Sequence, residues 1–278
     1  MQSVEATRAA EAAREPVART LEDWARRQPH EIAVIDEKDR SLTWQEWNRQ
    51  ADLLAGAFDK RGLVAGDIVV VRTQTRLEWS VIAQALAKLG CKLLGMNWRL
   101  TPVEVKYVLN NSKAAAIVCD DPDPAALMPA FDGQRLKASV SLDVSANGFE
   151  TYEQLLQERG SKIFFSATDS PLVLYTSGTT GLPKGVVKIP DNDERMRLYL
   201  ADLRGRRGSG HDSVFLVTMP MHHGAGPGQM WAAKRNGTKA VILRKYDPVA
   251  VLELIQKHKV THWNGVPTMF KRIAALPP

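Results

Sequence analysis

Cysteine is scarce in this sequence, long apolar runs are missing, and so is any clustering that would hold a metal. The only two cysteines, Cys91 and Cys119, each sit at the end of an apolar stretch and form no CxxC pair. That excludes a disulfide framework and a thiolate metal site, and reads as two buried free thiols in a reducing compartment. No apolar run approaches the ~20 residues a membrane span needs. The opening MQSVEATRAAEAAREPVART has no apolar centre and carries Glu5, Glu11 and Glu15. It therefore matches neither a signal peptide nor an acid-poor transit peptide, and a cytoplasmic location is expected. No internal repeat and no low-complexity linker is present.

What is there is ordinary globular composition, with 44% apolar and 24% charged residues in 278. That suffices for one large domain or two modest ones. The net charge is +6, which suits a polyanionic partner of some kind. The densest basic stretch, Arg195 to Arg207, has only Tyr199 as an interleaved aromatic. It reads as a solvated helix face, and no nucleic-acid partner is expected.

Strand and helix signals alternate along the chain. Ile32–Ile35, Leu42–Trp44, Ile68–Val71, Ala115–Cys119, Leu172–Tyr175, Val214–Met219, Ala240–Leu243 and Val260–Trp263 read as strands. Thr43 with Glu46 forms a capping box ahead of a helix whose buried face is Trp47, Ala51, Leu54 and Phe58, with Gly62 at its end. A helix from about Glu78 to Leu89 stops at Gly90. Thr101, Pro102 and Glu104 open another, and Asp247 with Pro248 a further one. Val266-Pro267-Thr268 opens one more shortly before Pro277-Pro278, an abrupt end for an α/β unit. The fold class is α/β, with layered, mostly parallel sheets flanked by helices. The expected division is an extension over 1–19, a first α/β unit over 20–169 and a second over 170–278. A looser region is expected from Asp120 to Ser170.

The segment LVLYTSGTTGLPKGVV, Leu172 to Val187, carries most of the chemical information. An apolar strand runs into Thr176, Ser177, Gly178, Thr179, Thr180 and Gly181, with Lys184 and Gly185 following. Hydroxyl residues alternate with glycines that permit tight turns, so several N–H and O–H donors can converge on phosphate oxygens. Lys184 adds a point charge. The plain alternative is a polar hairpin joining two strands. The spacing is not that of a Walker A loop, since Pro183 precedes the lysine and Gly185 follows it. The acidic end of AAIVCDD, Ala115 to Asp121, reads as a strand end.

The string YTSGTTGLPKG resembles the phosphate-loop signature of the adenylate-forming, or AMP-binding, superfamily. That superfamily comprises acyl-CoA synthetases, luciferases and peptide-synthetase adenylation domains. SLTWQEWNRQADLLAGAFDKRGLVAGDIVVV, ALAKLGCKLLGMNWRLTPVEVKYVLNNSKAAAIVCD, MPMHHGAGPG and THWNGVPTMF are similar to further family blocks in the same order. The resemblance runs from about Thr20 to the end, apart from Asp121 to Thr168.

It implies an acyl-CoA synthetase acting on a carboxylic acid through an acyl-adenylate, with ATP, Mg²⁺ and CoA. Thr176, Ser177, Gly178, Thr179, Thr180, Gly181 and Lys184 would hold the β- and γ-phosphates. His223 would be the catalytic-side residue at the mouth of the acyl pocket, with His222 structural. Asn264, Gly265 and Val266 would line the acyl side or serve the core. No metal ligand is assigned, and a homodimer is left open. The Thr-His pair that commonly follows the signature is absent. So are the Gly-Tyr-Gly-x-Thr-Glu adenine motif, the ribose-binding aspartate and the lysine-bearing C-terminal domain. The expectation is thus a partial N-terminal domain, truncated and inactive by itself. The other readings are a non-catalytic nucleotide- or acyl-binding module and one half of a split enzyme.

Overall fold

In the strand Ile68–Arg72 (β3) apolar side chains alternate between two cores. Val69 and Val71 belong to one cluster and Val70 to another. Every second side chain of a strand faces the same way, so an unbroken apolar run means a sheet covered on both faces. The same split occurs in Ala116–Cys119 (β5), with Ala116 and Val118 on one side and Ile117 and Cys119 on the other. The computed structural model describes residues 20–158, 164–166, 168–176, 183–188 and 213–277.

Before β3 come a helix Leu21–Arg27 (α1), strands Ile32–Asp36 (β1) and Ser41–Thr43 (β2), and a helix Trp44–Lys60 (α2). After β3 come a helix Leu77–Leu89 (α3), strand Lys92–Gly95 (β4) and helix Pro102–Ser112 (α4), then β5. A 3₁₀ segment Pro124–Phe131 follows, then strands Ala138–Ser141 (β6) and Glu150–Thr151 (β7) and helix Tyr152–Gln157 (α5). Next are strands Leu172–Thr176 (β8), Lys184–Lys188 (β9) and Val214–Val217 (β10), and helix Ala225–Asn236 (α6). The described chain ends with strand Lys239–Ile242 (β11), helix Pro248–His258 (α7), strand His262–Trp263 (β12) and helix Pro267–Ala274 (α8).

Two sheets result. The seven-stranded one has the order β7-β6-β5-β3-β4-β8-β9, parallel except for β9, which pairs antiparallel with β8. The five-stranded one has the order β12-β10-β11-β1-β2, parallel except for β2. One core cluster joins α2 and α3 to both sheets, through Val69, Leu93 and Leu172 on one side and Val34, Phe215 and Ile242 on the other. In α3 every residue from Leu77 to Lys88 is buried, as expected of a helix enclosed between layers. Each fully buried Leu or Ile there contributes about 1.5–3 kcal/mol. The outer faces are covered by α4 with the 3₁₀ segment, and by α7. The expected α/β architecture of layered, mostly parallel sheets is what the chain adopts.

Two expectations change. The region from Asp120 to Ser170 is not loose throughout, because it supplies β6, β7 and α5. The signal was a capping box: the Thr151 side chain accepts from Gln154 N, and Gln154 Oε1 accepts from Thr151 N. Sheet membership also crosses the 169/170 division in both directions. β1 and β2 join the sheet of β10 and β11, while β8 and β9 join that of β3 and β4. Pairing partners are chosen by long-range packing, which local patterns do not encode.

Both cysteines are buried and free, as expected. Among the described residues no helix is long and apolar enough to cross a membrane. The extension 1–19 and the basic stretch Arg195 to Arg207 lie outside the described residues.

Candidate functional site

The glycine-rich segment is carried on a hairpin. β8 lies parallel to β4, with Leu174 opposite Gly95, and β9 folds back on it. Thr176 pairs with Lys184, and Tyr175 with Gly185. Thr176 and Lys184 are both exposed, at the end of the hairpin where residues 177–182 connect the strands. Ser177, Gly178, Thr179, Thr180 and Gly181 lie outside the described residues. A hairpin was the geometry of the plain alternative, and it serves a phosphate loop equally well.

The hairpin stems are tied to α4. The Tyr107 hydroxyl donates to the Pro183 carbonyl at 3.0 Å, and the Tyr175 hydroxyl donates to Asn111 Oδ1 at 2.7 Å. Burial, with Tyr107 nearby, pushes the Tyr175 hydroxyl above its ordinary pKa, so it stays a donor at neutral pH. The Tyr175 ring lies over Gly185, where a Cβ would come within 3.2 Å of it.

β10 leads into the histidine segment. The Thr75 hydroxyl donates to the Met219 carbonyl at 3.2 Å, fixing the strand's exit. His223 N then donates to Pro220 O, and Gly226 N to His223 O, each at 3.2 Å. This turn needs glycine, since a Cβ at Gly226 would lie 2.4 Å from Pro220 O. It abuts β4, where a Cβ on Gly95 would fall 2.9 Å from His222 Cα. On the other side it meets the hairpin: a Cβ on Gly224 would lie 3.2 Å from Leu174 Cδ1 and 3.8 Å from Lys188 Nζ. The hairpin, the end of β4 and the histidine turn thus converge where parallel strands end, the usual binding edge of such sheets.

The two imidazoles differ. His223 is exposed, whereas His222 is partly buried and its Nδ1 finds no hydrogen-bond partner. The ring centroids are 4.4 Å apart. Burial first, then His223 and Arg99, lowers His222 to about 4, so it is neutral at physiological pH. That fits the structural role expected for it.

Helix α6 starts from this turn and is anchored at its far end. Lys234 Nζ donates to Gln84 Oε1 at 2.9 Å and pairs with Asp169, which also accepts from Arg235 at 3.0 Å. Gln229 Nε2 donates to Asn264 O at 2.8 Å, bringing the Asn264–Val266 segment beside the histidine helix.

An ionic network that sequence reasoning missed lies behind the site. Arg76 meets both Asp143 oxygens at 2.7 and 2.8 Å, and Glu78 at 2.8 Å. Arg244 reaches Asp120 at 3.2 Å, and Arg72 reaches Asp121 at 3.0 Å. Arg40 joins Glu78 to Asp36 at 2.7 Å each. Burial pushes Glu78 up, but the hydrogen bonds and charge of Arg76, with Arg40, outweigh it and bring Glu78 down to about 2. Asp120 is held above its usual value by burial. Both acids ending AAIVCDD are therefore bound by arginine, consistent with a structural strand end. Among the described residues no group of three or more His, Cys, Asp or Glu side chains could hold a metal ion.

The two-sheet α/β core thus carries its glycine-rich hairpin at one edge of the seven-stranded sheet. Residues 21–278 match the AMP-binding enzyme family, and the chain belongs to it.

One relative is 4-hydroxybutyrate–CoA ligase 2 of Metallosphaera sedula. It is 27% identical over 252 residues, which cover 85% of this chain and 45% of the relative. Among solved structures, the inhibitor-bound N-terminal domain of FACL13 from Mycobacterium tuberculosis superposes with a TM-score of 0.78 at 22% identity. It covers 92% of this chain and 64% of that one. O-succinylbenzoate coenzyme A synthetase (MenE) from Bacillus subtilis, in complex with ATP and magnesium ion, gives 0.75 at 20% identity. The coverage is 93% of this chain and 66% of that one. The chain spans about half the length of the curated relatives it matches.

Proposed function

We propose that this chain is the N-terminal part of an ATP-dependent acid–CoA ligase working through an acyl-adenylate. The observation that supports this best is the hairpin that sets Thr176 opposite Lys184 beside the His223 turn. In the first step a carboxylate oxygen attacks the α-phosphorus of ATP and the bond to pyrophosphate breaks. Lys184, Thr176 and the donors of Ser177, Gly178, Thr179, Thr180 and Gly181 would hold the β- and γ-phosphates and take up the charge of the leaving pyrophosphate. In the second step a CoA thiolate attacks the acyl carbonyl and AMP leaves. His223, exposed between hairpin and α6, would orient the carboxylate or meet the incoming thiol. The acid remains a class, a carboxylic acid of acyl or aryl type.

Mg²⁺ belongs to such chemistry and would be held largely by the ATP phosphates; among the described residues no group of three or more His, Cys, Asp or Glu gathers to bind it. The 278 residues also contain none of the family's adenine, ribose or lysine motifs. Substrate positioning supplies roughly 7–11 kcal/mol of barrier lowering in well-built sites, so a site with these contacts missing should turn over very slowly. The test is carboxylate-dependent ATP–pyrophosphate exchange by the purified chain. Little or no exchange is expected alone, and exchange should appear when a polypeptide carrying the missing motifs is supplied. Robust exchange by the chain alone would overturn the assignment of those motifs. No exchange with the second polypeptide, despite complex formation, would favour a non-catalytic binding module.

A further inference from the structure

We infer that Tyr107 and Asn111 on α4 are positioning residues for phosphate binding, acting through Lys184 and Thr176. The inference rests on the phosphate-binding reading of the hairpin. The two residues are four apart on one helix and so share a face. That face meets both stems of the hairpin. Tyr107 holds the carbonyl of Pro183, the residue before Lys184, and Asn111 holds the hydroxyl of Tyr175, the residue before Thr176. Thr176 and Lys184 are themselves paired across the hairpin. Thr176 and Lys184, the candidate phosphate contacts among the described residues, therefore each have a tie one residue away, and both ties come from one helix.

Packing cannot do this work. β9 is the edge strand of its sheet and all five of its residues are exposed, including Val186 and Val187. α4 by contrast is fixed to the core through Val105, Val108 and Leu109. It also starts with a capping box in which Glu104 Oε2 accepts from Thr101 N at 2.8 Å. The ties thus transfer the rigidity of a buried helix to an exposed edge. Binding side chains whose backbone spends only part of its time in the binding geometry lose affinity in proportion to that fraction. Tyr107 and Asn111 keep that fraction high without touching phosphate. Glycine at 185 suits the arrangement, because a Cβ there would crowd the Tyr175 ring at 3.2 Å.

The probe is inorganic tripolyphosphate, titrated calorimetrically into the full 278-residue chain. Tyr107→Phe, Asn111→Leu and Tyr175→Phe each remove one exposed or half-exposed hydrogen bond. Each should weaken tripolyphosphate binding about threefold to tenfold, with the melting temperature moving by no more than about 2 °C. Tyr175→Phe and Asn111→Leu break the same tie, and Tyr175→Phe also removes the hydroxyl's contact with Ser112, so the double variant should bind no more weakly than Tyr175→Phe alone. Unchanged affinity, or affinity losses that track losses of melting temperature across the variants, overturns the positioning role. Additive losses in that double variant overturn the shared tie. If the unaltered chain binds no tripolyphosphate, the phosphate-loop reading itself fails and the inference falls with it.

Discussion

Gly95 and His222 meet backbone to backbone, which locks the end of a strand in one sheet to the turn that follows a strand in the other. A side-chain carbon on Gly95 would lie 2.9 Å from His222 Cα and 3.0 Å from the Met221 carbonyl oxygen. Both are closer than van der Waals contact allows, and neither obstacle is a flexible side chain.

Gly95→Ala should therefore separate β4 from the histidine turn. Overpacking of this kind costs about 1–3 kcal/mol, readable as a lower midpoint in urea. The turn also carries His223, so the same variant should disturb the site. A midpoint unchanged from the parent protein would show that the two sheets have slack at this contact.

Lys88 should be among the most sensitive charged positions. Its side chain is fully buried and donates to Glu22 Oε1, Asn48 Oδ1, Asp52 Oδ1 and the Phe164 carbonyl. It thereby joins α1, α2 and α3. Lys88→Met keeps the volume but leaves the Glu22 and Asp52 carboxylates without this cation. Breaking a buried pair on one side costs about 3–5 kcal/mol, so chemical denaturation should show a loss of that order. A loss under about 1 kcal/mol would mean the carboxylates find water instead.

Stability should fall on acidification in two stages. The folded pKa of His222 lies below its ordinary 6.5, at about 4, so the fold prefers the neutral ring. Its contribution is complete above pH 6.5 and is lost as pH falls towards 4. Glu78 has a folded pKa of about 2 against an ordinary 4.5. Its contribution is complete above 4.5 and is lost as pH falls towards 2. Asp120, shifted up from 3.8 by burial, acts in the opposite sense, and because its window lies above pH 3.8 it offsets part of the loss where the two stages meet. His222→Gln should reduce the slope between pH 6.5 and 4, leaving the share of His258, which burial also lowers, and the lower stage in place. A curve as steep as the parent's in the upper stage would assign the loss to another group.

The parts of this fold that were legible in the sequence are those set by neighbours along the chain. Thr43 with Glu46, Thr101 with Glu104, and Asp247 before Pro248 each start a helix where local chemistry says one should start. Gly90 ends α3 in the left-handed region where a cap glycine belongs. The apolar runs of β3, β5, β8, β10 and β11 were equally plain. What escaped depends on distant partners. β1 joining β11, the Arg76 network, and the approach of Gly95 to His222 have no local signature. β6 and β7 are short, and their neighbourhood is rich in Pro, Asp and Gly, which hid them. At the site, residue types and spacing pointed to Thr176 and Lys184, and the family resemblance to His223; the histidine turn lies against the hairpin through Gly224 and Leu174. Tyr107 and Asn111 were invisible because a tyrosine and an asparagine on a helix carry no motif. Their role follows only from what they touch.

The most direct test of the account is a calorimetric titration of ATP into the purified chain and into its Lys184→Ala variant, at low and at moderate salt. If the hairpin is a phosphate-binding device, the parent chain binds ATP saturably and more weakly as salt rises. Loss of the lysine's charge-assisted contact, worth roughly 1.5–3 kcal/mol, should weaken binding by about one to two decades. ATP binding that is absent in the parent chain, or unchanged by Lys184→Ala, would contradict it.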